Sequence, residues 1–175
     1  ETISLGIGQG YNTFTMLQLA QATAIVANNG IKHQPHLMIG TQDAVTRVME
    51  PVLRAPPVNL GYKAANVAVV RKAMVGVTQE GTSTRVFAGA PYLSGGKTGT
   101  AQAVTIGQKD KYNSAKLQER QRDHAVYNAF APADDPTIAL AVIVENAGWG
   151  AGVAAPIARR VFDYLLLGQY PSVED

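Results

Sequence analysis

Ser94-Gly95-Gly96-Lys97-Thr98-Gly99-Thr100 is the stretch whose reading decides the fold. It sets one lysine and two threonine hydroxyls among three glycines, after Ala90-Pro91-Tyr92-Leu93 and before a long polar loop. Glycine weakens a strand interior and marks a place where something approaches the backbone closely. The segment reads as a strand from about Leu93 to Gln102, and alternation along it puts Thr98 and Thr100 on one side. An extended peptide laid along this strand would meet the ammonium and both hydroxyls with its terminal carboxylate.

Two further strands follow the polar loop, His124 to Ala131 and Thr137 to Glu145. The turn Pro132-Ala133-Asp134-Asp135-Pro136 between them predicts an antiparallel hairpin beside the Lys97 strand. Gly148-Trp149-Gly150-Ala151-Gly152 then leads to a helix over about Val153 to Leu167, with Val153, Ile157, Val161 and Leu165 as its apolar stripe and Phe162 and Leu166 beside them, packing on one face of the sheet. Upstream, Gly6 to Tyr11 is a glycine-rich lead into a helix that starts at the capping-box pair Thr15 and Gln18. That helix carries Leu19, Ala22, Ile25 and Val26 on one side and stops at Asn28-Asn29-Gly30. Residues 31–61, with four prolines, read as extended segments and loops lying over the domain. A second helix is predicted from about Lys63 to Val77 on Val67, Val70, Met74 and Val77, and Gly81-Thr82-Ser83-Thr84 caps a short turn through Phe87. Helices first, then three strands, then a helix is an α+β order: an antiparallel sheet flanked by helices. Three strands are few for this much helix, so the sheet is expected to continue into residues beyond this chain.

Bulk composition narrows the function. The 175 residues are 46% apolar and only 16% charged, which fits one well-buried domain. The net charge of +2 lies entirely between Lys109 and Asp123, where five basic residues face three acidic ones. Such a loop is a solvated surface, so no nucleic-acid partner is expected. With no cysteine there is no thiolate chemistry, and the longest apolar run, Ile138 to Val144, is strand-sized. Glu1 reads as an interior residue of a longer protein, so the absent membrane anchor says little about the whole.

Competing motifs fail on spacing. A phosphate-binding loop ending at Gly96-Lys97-Thr98 needs glycine at position 91, where Pro91 stands. The third glycine of a dinucleotide fingerprint begun at Gly6 falls on Tyr11. Ser94 and Lys97 have the spacing of a lysine-activated serine nucleophile, but that pair works on a helix, and two glycines between them oppose one. His33 and His36 flank Pro35 without a neighbouring carboxylate, and no metal site is assigned to them. His124 opens a strand as a satisfied core histidine with no chemistry assigned, and Trp149 is read as covering the end of the sheet.

With these residues in place, the chain resembles the C-terminal half of a penicillin-binding protein transpeptidase domain. Lys97-Thr98-Gly99-Thr100 matches the third motif of the serine enzymes that recognise penicillin. Gly8-Gln9-Gly10, Thr15 to Ala20 and Asn28-Asn29-Gly30 resemble the family's upstream segment, and Phe130-Ala131-Pro132 with Ile138 to Glu145 its later strands. Lys111-Tyr112-Asn113 and Arg122-Asp123-His124-Ala125 are most similar to the class B penicillin-binding protein two subfamily of cell elongation.

The resemblance implies a serine D,D-transpeptidase, without cofactor, that cross-links peptidoglycan stem peptides ending in D-Ala-D-Ala and is acylated by β-lactam antibiotics. It implies that Lys97 supplies charge near the substrate carboxylate and helps proton movement, and that the Thr98 and Thr100 hydroxyls bind that carboxylate. Gly99 would let substrate close on the strand, and the Thr100 N–H would be one of two oxyanion donors. It further implies a periplasmic protein anchored to the inner membrane through a segment not in this chain. A SEDS-type glycosyltransferase and other elongation proteins would be its partners. The family's nucleophilic serine and its Ser-x-Asn motif have no plausible copy in residues 1–175, which leaves an incomplete domain, expected to be inactive alone. A D,D-carboxypeptidase, β-lactamase or β-lactam sensor shares the third motif, and a non-catalytic binding or scaffold module is the alternative from another class.

Overall fold

The computed structural model describes residues 13–103 and 117–170. The Gly6 to Tyr11 lead, Lys111-Tyr112-Asn113 and most of the basic loop lie outside the described residues.

Helix α1, Met16–Ala27, begins on the predicted capping box. The Gln18 N–H donates to Thr15 Oγ1 at 3.2 Å, and the Thr15 N–H donates to Gln18 Oε1 at 2.9 Å. Each group satisfies a donor that the first helical turn leaves without a partner. Asn29 (φ 54°) and Gly30 (φ 86°) then turn the chain out of the helix through left-handed backbone. The buried side differs from the predicted stripe. Ala22 is exposed, while Thr23 and Ala27 are buried, because the Thr23 hydroxyl donates to Leu19 O at 2.8 Å and so hides its only polar group.

Residues 31–61 form two small antiparallel ribbons. Strands β1 (Ile31–Lys32) and β4 (Val58–Asn59) pair at the base, and β2 (Gly40–Gln42) pairs with β3 (Met49–Pro51) beyond them. The second ribbon does not lie over the domain as expected. Leu37, Val45 and Leu53 are 103%, 90% and 99% exposed, so it stands off as an arm.

Helix α2, Ala64–Gln79, matches the predicted span within two residues. It turns Val67 and Thr78 inward, with Met74 and Val77 half-buried on the predicted face, and leaves Val70 exposed, a small rotation from that face. Arg71 accounts for that rotation. Its guanidinium lies over the Phe130 ring at 6.0 Å and donates to Asn29 Oδ1 and Ala133 O at 2.7 and 2.8 Å. A periodicity count cannot anticipate an arginine stem serving as core-facing surface.

A short helix α3 (Thr84–Phe87) leads to the sheet, β5 (Gly95–Ala101), β6 (His124–Ala131) and β7 (Ile138–Val144), in spatial order β5-β6-β7 and antiparallel throughout. Thr98 lies opposite Tyr127 and Lys97 opposite Asn128, so the strands and their hairpin stand as the sequence predicts. Helix α4, Ala154–Leu167, closes the fold.

One face of the sheet carries the core. Tyr127 and Ala125 pack there with Phe87, Ala155, Ala158 and Phe162, all buried. Phe87 stacks on Tyr127 at 6.1 Å and tilts against Phe162 at 6.5 Å. Each fully buried ring of this kind contributes roughly 1.5–3 kcal/mol relative to exposure. Of the predicted α4 stripe, Phe162 is buried and Val153 and Leu166 pack against the core, whereas Ile157 and Leu165 are exposed. Alanines at 154, 155 and 158 bring the helix backbone close to the sheet, and that closeness seats Phe162. Helices α1 and α2 touch each other, α1 packing on β6 and β7 and α2 on β5.

Arg159 fastens α4 to the approach of β5. Its Nε donates to both Asp163 oxygens at 2.9 and 2.8 Å, and Nη1 donates to Val86 O at 3.1 Å. Asp163 also accepts from the Tyr92 hydroxyl at 2.7 Å. Burial and the Asp163 carboxylate hold the Tyr92 phenol well above the usual tyrosine range.

Candidate functional site

Strand β5 lies at the end of the sheet, so one of its edges has no strand beside it among the described residues. Gly150 shows which backbone groups face that edge. A Cβ there would fall on Val126 O and lie 2.5 Å from Gly99 O, so both carbonyls sit between β5 and β6. Gly99 and Val126 are thus a hydrogen-bonded pair of the ladder. Backbone groups alternate along a strand, which turns those of Thr98 and Thr100 toward the open edge. Thr98 O accepts there from Lys97 Nζ at 2.7 Å.

The four residues that the sequence singles out therefore form one continuous ledge. Lys97 is exposed, and Thr98, Gly99 and Thr100 are half-buried. Lys97 shares a face with Gly99 and Asn128, while Thr98 and Thr100 share the core face with Tyr127. Across from Lys97, Asn128 Oδ1 is buried and has no hydrogen-bond partner among the described residues.

The glycines of this strand have particular neighbours. A Cβ at Gly96 would collide with the Tyr127 hydroxyl, and one at Gly95 would lie 2.5 Å from Phe130 Cζ. Two aromatic rings of β6 thus occupy the volumes that side chains would fill. Tyr127 reaches over Gly96 to Ser83 Oγ at 3.0 Å. Burial raises its pKa to about 12, with the Ser83 hydrogen bond acting in the opposite direction. Gly99 is different, since a Cβ there would meet Val126 Cβ at 3.4 Å, an ordinary contact.

The turn between α2 and α3 lies against the start of the ledge. Thr78 Oγ1 donates to Ser94 O at 2.7 Å, and Ser83 Oγ donates to Val77 O at 3.1 Å. Thr82 Oγ1 stands 3.1 Å from Thr98 Oγ1. The sequence marks Thr82 only as part of a helix cap, because nothing local reveals that the turn folds back on a strand more than ten residues later.

Other candidates find ordinary roles. Ser94 is 1% exposed, which removes its hydroxyl from any substrate. His124 Nδ1 accepts from the Asn146 N–H at 2.9 Å, as a satisfied strand-end histidine. Trp149 is 66% exposed and does not cover the sheet end, since it is the backbone of its neighbour Gly150 that packs there. Among the described residues no cluster of three or more His, Asp or Glu is placed to hold a metal ion, and no helix is long and apolar enough to cross a membrane.

An antiparallel sheet flanked by helices is the architecture that comparison with known proteins also finds. The chain belongs to the penicillin binding protein transpeptidase domain family, whose model matches residues 1–163. It is 45% identical to the peptidoglycan D,D-transpeptidase MrdA of Haemophilus influenzae, over 99% of this chain and 27% of that protein. Among solved structures, Pseudomonas aeruginosa PBP2 aligns at 36% identity with a TM-score of 0.69, over 99% of this chain and 34% of that one. Penicillin-binding protein A of Mycobacterium tuberculosis, as its imipenem acyl-enzyme, aligns at 29% identity with a TM-score of 0.73, over 93% and 33%. The chain spans about a quarter of the length of the curated relatives it matches.

Proposed function

We propose that residues 1–175 are the C-terminal portion of the transpeptidase domain of a peptidoglycan D,D-transpeptidase of cell elongation, and that β5 is its substrate-binding strand. The observation that carries this reading is the ledge itself: outward backbone groups and the Lys97 ammonium at a strand edge left open among the described residues, with the Thr98 and Thr100 hydroxyls on the adjoining face. A stem peptide ending in D-Ala-D-Ala pairs along that edge as an added strand. Its carboxylate lies at the Thr98 and Thr100 hydroxyls, within the field of Lys97. The Thr100 N–H points where a reacting carbonyl oxygen would develop charge, and one such donor is worth about 3–4 kcal/mol in the transition state.

The nucleophile comes from outside these residues. A serine Oγ attacks the penultimate D-Ala carbonyl, the amide C–N bond breaks, and the terminal D-Ala leaves with the serine proton. An acceptor amine then attacks the ester, forming the cross-link and returning a proton to the serine. β-Lactams enter by the same attack, which opens their ring amide and leaves them attached. The H. influenzae relative's name and the imipenem acyl-enzyme of the M. tuberculosis structure support this assignment. On the same reading the protein works in the periplasm, anchored in the inner membrane, beside a SEDS-type glycosyltransferase and other elongation proteins.

Labelling with a fluorescent penicillin tests the proposal. The full-length protein should acquire a covalent tag, whereas residues 1–175 alone should not. Lys97→Ala in the full-length protein removes a charge-assisted contact worth about 2 kcal/mol, which slows acylation about thirty-fold. An unchanged acylation rate would take Lys97 out of the mechanism.

A further inference from the structure

Thr82 and Thr98 each have a hydroxyl whose one partner among the described residues is the other, at 3.1 Å. Thr82 is exposed, yet the turn that carries it is held firmly. Its neighbour Ser83 is buried, with its backbone N–H and Oγ both donating to Val77 O at 3.1 Å. Thr84 Oγ1 closes the turn onto Gly81 O at 2.8 Å. A Cβ at Gly81 would lie 2.7 Å from Val77 Cα, so the backbone passes as close to α2 as it can.

We infer that Thr82 is a positioning residue that sets the direction of the Thr98 hydroxyl proton. The inference rests on the reading of Thr98 as a carboxylate-binding residue. A threonine hydroxyl has one proton and two lone pairs, and a carboxylate only accepts. When Thr82 donates to Thr98 Oγ1, the single Thr98 proton is left for the ligand's acid group. The reverse arrangement would present only lone pairs to an anion. A bound carboxylate therefore selects the first, and the two-hydroxyl chain polarises the final donor.

The test compares acylation of the full-length protein by benzylpenicillin with acylation by its methyl ester, which lacks the negative charge. Thr82→Val, nearly isosteric, should slow benzylpenicillin about tenfold and the ester less than twofold. Thr82→Ser should restore the preference for the acid. In a Thr98→Val background, Thr82→Val should add nothing. Equal losses with acid and ester, or a full Thr82→Val loss that persists without the Thr98 hydroxyl, would overturn the inference. If Thr98→Val slows the acid selectively but Thr82→Val does not, only the Thr82 role fails. If Thr98→Val leaves both rates unchanged, the carboxylate site itself is refuted.

Discussion

Replacing Gly96 by alanine separates a glycine kept for packing from one kept for a ligand. The new Cβ would fall on the Tyr127 hydroxyl and lie 2.5 Å from Cζ, where ordinary contact begins at about 3.4 Å. The phenol must retreat by roughly an ångström, away from Ser83 Oγ and into Phe87, which already stacks on it at 6.1 Å. Overpacking of this kind costs about 1–3 kcal/mol. Separating the buried Ser83 and Tyr127 hydroxyls adds about 1–3 kcal/mol more. A total of about 2–6 kcal/mol, at about 2–4 °C per kcal/mol for a domain of roughly 150–250 residues, lowers Tm by about 4–24 °C. Thermal unfolding followed by circular dichroism reads the change. Tyr127→Phe removes the nearest colliding atom and should recover part of the loss in the double variant. A Gly96→Ala protein that unfolds within a degree or two of the parent, yet has lost acylation, would refute the packing argument. It would return Gly96 to the ligand.

Gly150→Ala places its Cβ on Val126 O and Gly99 O, backbone atoms that cannot swing aside. It should lower both Tm and the acylation rate, whereas Gly152→Ala, with Trp149 O at 3.8 Å as its nearest neighbour, should stay within about 0.5 kcal/mol of the parent by denaturant unfolding. Burial pushes the Tyr127 phenol up to about 12 from its ordinary value of 10. Its contribution is complete below pH 10 and is lost as pH rises toward 12, because the unfolded chain ionises first. Phenolate absorbance should show a late-titrating class, and Tyr127→Phe should remove one member of it. An unaltered late class would mean that Tyr127 ionises like an exposed tyrosine.

Local chemistry was legible wherever partners lie within a few residues of each other. Thr15 and Gln18 mark the start of α1, and the prolines and aspartates between Ala131 and Thr137 mark the hairpin. The Lys97 strand was legible from its glycines, though for an incomplete reason. Their crowding does announce a close approach, but at Gly95 and Gly96 what approaches is Phe130 and Tyr127, more than thirty residues later. Helix faces were read less well. Val70, Ile157 and Leu165 fit an apolar stripe and are exposed, while Arg71 and a run of alanines take the inward positions. Periodicity reports that a helix has an apolar side, but its rotation is set by the surface it meets.

By itself, the sequence determined the order of elements, the antiparallel hairpin and the ledge of Lys97, Thr98, Gly99 and Thr100, because each follows from short-range geometry along one strand or turn. Only the tertiary structure decided that Thr82 stands against Thr98, that Tyr127 crosses Gly96 to reach Ser83, and that Gly150 lies over the Gly99–Val126 pair. Those contacts join residues far apart in the chain. They exist because alanines and glycines leave the space for them, and a missing side chain shows what fills its place only once the layers are stacked.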